Sequence, residues 1–331
     1  MTPTLDYKEN FYVRGRDLYD TADQPVILRG INKMFVWDGD DPDGAISFPE
    51  IRKTGANSVR IVWAITTDLE PGGPATSPAT LDALIANAKG NELVPMIELH
   101  DATGRWDRLD DLVEYWTRPE IVSIIQKHRK YLLLNIGNEV GDDGVTDGEF
   151  TVGYTNAIRS IRGAQIHSPL IIDAPDWGKS LSTLNNTAST LLDADPEKNV
   201  IFSVHLYWSM SRGADADHIR AQLQNAVDAG YPLIVGEFSR YGGYPLNEGE
   251  SICGAGGEID YRTILEECHK HGIGWYAWEW GPGNDFNDPL CSVMDMTPDR
   301  MFANLKPGWA QEVAVSSPYG IKNTSLVPST R

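Results

Sequence analysis

Short β-branched or aliphatic runs alternate eight times along this chain with helix-patterned stretches, an order that yields a parallel sheet with crossover helices. The runs fall at residues 26–31, 58–63, 93–99, 132–136, 170–173, 200–207, 233–236 and 274–278. Between them the apolar spacing predicts helices at 48–54, 78–89, 109–128 with a break at Pro119, 150–162, 181–192, 214–229 and 260–271. Gly55, Gly90, Gly163, Gly230 and Gly272 stand where a left-handed residue would stop a helix. Stretches such as Tyr131-Leu132-Leu133-Leu134 are continuously apolar, as a strand covered on both faces must be. The expected fold class is therefore α/β: a (β/α)8 TIM barrel. A short N-terminal β-hairpin, Phe11-Tyr12-Val13 and Asp17-Leu18-Tyr19 joined through Gly15, is expected to cap it.

Length alone permits one barrel or two smaller domains, and the repeated unit favours one. A single catalytic domain is expected over residues 1–315, its last helix at 301–313, with residues 316–331 as a loosely packed or disordered tail. Hydrophobic residues make up 41% of the chain, enough for a sizeable core. The net charge of −19, from 28 basic and 47 acidic residues, repels phosphodiesters and anionic lipid, so neither nucleic acid nor a membrane is an expected partner. No stretch approaches the roughly 20 apolar residues of a membrane span. The start has neither a basic region nor an apolar run, so no signal peptide is present in this sequence. Of the three cysteines, Cys268 belongs to an apolar-periodic helix and is expected to be an inert core thiol. Cys253 and Cys291, in two late Gly-rich loops, either pair or stay free.

In such a barrel the active site lies at the C-terminal ends of the strands. Those ends carry Arg60, His100 with Asp101, Asn138 with Glu139, Trp177, His205 with Tyr207, Glu237, and Trp278 with Glu279 and Trp280. Two carboxylates facing each other suit glycosidic bond cleavage, in which one protonates the leaving oxygen while the other attacks the anomeric carbon or activates water. Trp37, Trp63, Trp177, Trp208, Trp278 and Trp280 fall at or beyond strand ends, where aromatic rings would stack on sugar C–H faces. Asn-Glu by itself is weak evidence, since it also occurs at Asn91-Glu92 and Asn247-Glu248; only Asn138-Glu139 directly follows an apolar strand. Arg60 by itself reads as a surface or salt-bridge residue, and His100 and His205 by themselves fit satisfied core histidines as well as they fit site residues.

The strings Leu134-Asn135-Ile136-Gly137-Asn138-Glu139, Ile234-Val235-Gly236-Glu237-Phe238 and Gly274-Trp275-Tyr276-Ala277-Trp278 resemble strands four, seven and eight of family 5 glycoside hydrolases. Glu98-Leu99-His100-Asp101-Ala102-Thr103-Gly104, Asp173-Ala174-Pro175-Asp176-Trp177-Gly178 and Ser203-Val204-His205-Leu206-Tyr207 look like its bacterial endo-β-1,4-mannanase branch. The resemblance runs from about Arg29 to Gly283. It implies that Glu139 is the general acid/base and Glu237 the nucleophile of a retaining double displacement on β-mannan or a related plant polysaccharide. It further implies that Arg60 and Tyr207 stabilise the Glu237 carboxylate, Asn138 holds the 2-hydroxyl, His100 and His205 line the reacting subsite, and Trp278 forms its floor, with Trp177 also binding substrate. No cofactor or metal is implied, and a secreted monomer is expected. Two departures concern the substrate: an extended loop from Ser239 through Glu258, and Glu279, which would bind a hydroxyl or satisfy an arginine, the arginine being favoured. The alternatives are an endo-β-1,4-glucanase on the same frame and a metal-dependent amidohydrolase using His100, Asp101 and His205. Strand one lacks the paired histidines that such metal sites use.

Overall fold

Eight parallel strands close on themselves in the computed structural model, which describes residues 9–65, 76–285 and 288–328. Around the ring they are β4 (Arg29–Lys33), β5 (Ser58–Trp63), β6 (Val94–Leu99), β7 (Leu133–Asn135), β8 (Leu170–Asp173), β9 (Val200–His205), β10 (Leu233–Phe238) and β11 (Gly274–Ala277), with β11 paired back onto β4. Before them, β1 (Tyr12–Arg14), β2 (Asp17–Tyr19) and β3 (Pro25–Val26) form a small antiparallel sheet. This is the expected hairpin plus one strand.

Period-two alternation divides the barrel interior into layers. Inward-facing Met96, Leu133, Ile171, Ile201 and Ile234 pack with Phe11, Leu18 and Val26 of the small sheet into one buried apolar cluster. The N-terminal sheet thus plugs the mouth at the strands' N-terminal ends and leaves the opposite mouth for polar groups. Outward-facing residues pack under the surrounding helices in the main core, which extends from Ile31 to Ile321. Those helices begin where the sequence supplies caps. Thr146 and Glu149 form a reciprocal capping box on α5 (Asp147–Gly163), and the side chains of Ser77, Asp215 and Asp260 accept from the first turns of α2 (Pro78–Gly90), α7 (Ala216–Ala229) and α8 (Tyr261–His271). The predicted break at Pro119 separates α3 (Leu109–Trp116) from α4 (Pro119–His128), because the proline cannot donate within a helix.

Several boundaries differ from expectation. The first barrel strand begins at Arg29, since Val26 pairs with Leu18 in the small sheet. Strand six ends at His205 instead of Tyr207. Gly230 and Gly272 are left-handed helix stops, but Gly90 and Gly163 end their helices without a positive φ, and Glu92 and Gln165 take it two residues later. The helix expected at 301–313 is broken: Gly308, after Pro307, adopts a φ of 85°, leaving a 3-10 turn at Phe302–Asn304 and helical turns at Trp309–Gln311 and Glu312–Ser316. The tail is also more tightly packed than expected. Ile321 is fully buried, Arg29 donates to Thr324 Oγ1 at 3.0 Å, and Asn57 donates to the carbonyl of Leu326 at 2.8 Å. Residues 329–331 of that tail lie outside the described residues. Cys253 and Cys291 form a disulfide, while Cys268 is a buried thiol that burial pushes up to about 12.

Candidate active site

Above the apolar layer, the next inward positions carry Asn32, Arg60, Glu98, Asn135, Asp173, Ser203 and His205, all of them buried. Arg60 is the hub. It donates to Glu237 Oε1 at 2.7 Å, Asn138 Oδ1 at 2.7 Å, Asn32 Oδ1 at 3.1 Å and Asp173 Oδ2 at 3.3 Å. Burial opposes its charge, but the surrounding carboxylates of Glu98, Glu237, Asp173 and Glu139 hold Arg60 above the usual arginine range.

Glu237 reaches this hub through an irregularity in its strand. With Ile234 and Gly236 facing inward, simple alternation would turn Glu237 outward. The register instead shifts after Val235 against both neighbouring strands, and the carboxylate enters the barrel mouth. There Tyr207 donates to Glu237 Oε2 at 2.8 Å, so each carboxylate oxygen has its own donor. Glu139 follows β7 with a φ of 45°, its amide donating to Asp173 Oδ2 at 3.2 Å and its carbonyl accepting from Gly104 at 2.8 Å. One carboxylate oxygen of Glu139 and one of Glu237 lie within 4.8 Å of each other, with His205 between them. His205 Nδ1 is 2.7 Å from Glu139 Oε1 and 3.5 Å from Glu237 Oε1, and Nε2 is 3.4 Å from Asp173. Burial disfavours the imidazolium, yet these three carboxylates outweigh it and raise His205 to about 9.

On one flank, Asn138 donates to Thr103 Oγ1 at 2.9 Å and lies 3.3 Å from His100 Nε2, while His100 Nδ1 meets Glu98 at 2.8 Å. Trp278 stacks on His100 at 6.1 Å between ring centres, and Trp37 meets the same imidazole edge-on at 5.2 Å. Trp177 follows β8, its indole so close to Gly104 that a Cβ there would lie 2.4 Å from Nε1, with the ammonium of Lys179 5.4 Å from its ring centre. The expected site residues thus gather at one mouth, Trp177 among them, packed against the Gly104 turn whose amide donates to the Glu139 carbonyl.

The model of the family described as Cellulase (glycosyl hydrolase family 5) matches residues 19–284. The chain belongs to glycosyl hydrolase family 5. A mannan endo-1,4-beta-mannosidase from Salipaludibacillus agaradhaerens is 34% identical over 97% of this chain and 95% of its own length. One from Streptomyces lividans is 30% identical over 90% and 72%. Among solved structures, a beta-mannanase from Streptomyces thermolilacinus with mannohexaose superposes with a TM-score of 0.80 at 29% identity, covering 96% of this chain and 98% of that one.

For this family 5 glycoside hydrolase, some sequence expectations need correction. Trp63 and Trp280 are not sugar platforms: both are fully buried, donating to Tyr115 Oη and the carbonyl of Arg300. Trp63 occupies an outward position of β5 and packs beneath the helices. Glu279 pairs with no arginine among the described residues. Its Oε2 accepts the Met34 amide at 3.0 Å, and burial raises it to about 8 despite the nearby Lys33. His100, Asp101 and His205 do not assemble as ligands; Asp101 accepts the Ile65 amide, and the grouping close enough for an ion among the described residues is Glu139, His205 and Glu237. Asn32, Glu98 and Asp173 join the site beyond the residues expected from strand ends. Glu98 and Asp173 stand two positions beyond the inward apolar residues Met96 and Ile171, a period-two signal the sequence carries, whereas Asn32 follows Gly30 in the mostly polar β4 and has no such signal.

Proposed function

We propose that the protein is an endo-acting β-1,4-mannanase that cleaves mannan, galactomannan or glucomannan with retention of configuration. The observation that carries this reading is the carboxylate pair from β7 and β10, within 4.8 Å across one mouth, close to the roughly 5 Å spacing of retaining glycosidases. Glu237, with Arg60 and Tyr207 donating to its two oxygens, suits the nucleophile, since donors of this kind stabilise the anion that attacks the anomeric carbon. Glu139 is the general acid/base. It protonates the glycosidic oxygen as Glu237 forms the glycosyl-enzyme, then removes a proton from the water that releases it. Asn138 and His100 face the reacting sugar, and Trp278 and Trp37 offer it aromatic surface.

The mannan assignment is supported by the relatives named as mannan endo-1,4-beta-mannosidases and by the mannohexaose complex among the structural neighbours. The Cys253–Cys291 disulfide supports an oxidising, extracellular location, and no helix among the described residues is long and apolar enough to cross a membrane. Initial rates on soluble galactomannan and carboxymethylcellulose test the substrate. Faster glucan cleavage overturns it. Proton NMR of the first-formed product tests the mechanism, with the β-anomer expected before mutarotation.

A further inference from the structure

Glu279 is wholly buried between Trp278 and Trp280, so it acts on a substrate only through its neighbours. Its backbone is pinned: the amide donates to the carbonyl of Met294 at 3.2 Å, and the carbonyl accepts from Met296 at 2.9 Å. From that fixed post the side chain crosses to the segment after β4, where Oε2 accepts the Met34 amide at 3.0 Å. We propose that Glu279 is a positioning residue, which through Met34 holds the Trp37 indole against His100 and so fixes the aromatic surface offered to the reacting sugar. This inference rests on the mannanase reading.

Met34 immediately precedes the 3-10 turn Phe35–Trp37, and its carbonyl accepts the Trp37 amide at 3.3 Å. The far end of the turn is held as well. The Asp38 amide donates to the carbonyl of Phe35 at 3.1 Å, and its carboxylate meets Lys33 Nζ at 2.8 Å and also Arg300. Between these two anchors Val36 and Trp37 pack with Met34, Trp278 and Met294 in one apolar cluster, and the Trp37 ring meets His100. Trp278, on the other face of that imidazole, is held independently of the Glu279 side chain. Its amide donates to the carbonyl of Phe238 at 2.8 Å and its indole to Asn284 Oδ1 at 2.8 Å, with Asn284 donating in turn to Asp295 at 2.6 Å. Removing the Glu279 carboxyl therefore frees the Met34 end of the turn and leaves Trp278 in place.

A neutral acid fills this role. Burial above all, with the carboxylates of Asp295 and Asp38, raises Glu279, while Lys33 and the Met34 amide pull it down, and it settles at about 8. At pH 5 the carboxyl keeps its proton and offers Oε2 as an acceptor, which the oxygen of an amide can replace. A leucine of similar size cannot, and it leaves the buried Met34 amide without an acceptor, a cost that the turn relieves by moving. Trp37 moves with it. Because a stacked ring meets the sugar in the ground state and the transition state alike, the loss falls on KM.

The test measures kcat and KM on mannohexaose at pH 5. Glu279→Leu is expected to raise KM about tenfold while kcat changes by less than about twofold, and Glu279→Gln to restore KM. Met34→Pro removes the donor instead of the acceptor, at a φ of −80° that a proline can take, and should raise KM as Glu279→Leu does. In a Trp37→Ala background, where KM is already raised, Glu279→Leu should add nothing. The positioning role is overturned by an unchanged KM in a folded Glu279→Leu or Met34→Pro protein, by failure of Glu279→Gln to restore it, or by an additive loss in the Trp37→Ala background. Loss of the fold in both Glu279→Leu and Met34→Pro makes the tie purely structural and overturns it too. A wild-type enzyme that leaves mannohexaose intact overturns the mannanase reading and this role with it. One that cleaves it, with the variants unchanged, overturns the positioning role alone.

Discussion

Glu139 and Glu237 are the same side chain asked to do opposite things, and their neighbours differ accordingly. Glu237 accepts from a guanidinium and a phenol, one on each oxygen, whereas Glu139 shares a single 2.7 Å contact with the His205 imidazole. In the proposed mechanism, removing the acid slows departure of a sugar, which needs protonation, far more than departure of an activated phenol. Glu139→Ala is thus expected to reduce turnover of galactomannan by about 10²–10⁴-fold, with a much smaller loss for the glycosylation step of a dinitrophenyl glycoside. Azide should then rescue release of the glycosyl-enzyme, giving a β-glycosyl azide detectable by mass spectrometry. Equal losses on both substrates would contradict the acid/base assignment.

At the scale of elements, the junction of β9 and β10 brings together His205, Tyr207 and Glu237. Gly236 leaves no room for a side chain: a Cβ there would lie 2.3 Å from Ser203 Oγ and 2.8 Å from His205 Nε2. Gly236→Ala is expected to displace His205 from the carboxylates and lower kcat by about 10²-fold. A crystal structure of the variant should show the moved imidazole, and wild-type turnover would refute the coupling. The Cys253–Cys291 bridge acts on the loops beyond β10 and β11. The double variant Cys253→Ser/Cys291→Ser is expected to lose about 2–4 kcal/mol in denaturant unfolding. The same strands show what sequence can and cannot reveal. Apolar runs located all eight barrel strands, and their ends located Glu139, His205 and Glu237, because barrel geometry converts strand position into depth; Arg60 lies inside β5, at an inward position below that rim. The inward turn of Glu237 was not legible, since it depends on a register shift against two neighbouring strands. Nor was the core role of Trp63, because strand-end position alone does not say which face a tryptophan occupies.

Across the whole molecule, buried titratable groups give stability a definite pH dependence. The folded state holds protons on His205 and Glu279 more tightly than the unfolded chain, with values of about 9 and about 8 against ordinary values of 6.5 and 4.5. Each contribution is complete below the ordinary value and is lost as pH climbs through the raised one. Asp38 and Asp195 work in the other direction. Burial opposes their charge, but Arg300 with Lys33, and Arg162, hold them below the usual carboxylate value of 3.8, so their contributions are lost on acidification. The two limbs place maximum stability between about pH 4 and pH 5, declining from there toward pH 9. Thermal melts across that range check the shape, and a midpoint that rises steadily from pH 5 to pH 9 would refute it. Glu279→Gln separates the contributions, since a neutral amide of similar shape removes the cost of ionising a buried carboxyl. The variant's midpoint should gain on wild type progressively above pH 5 and hold a constant advantage above about pH 8, while the remaining decline through about pH 9 belongs to His205.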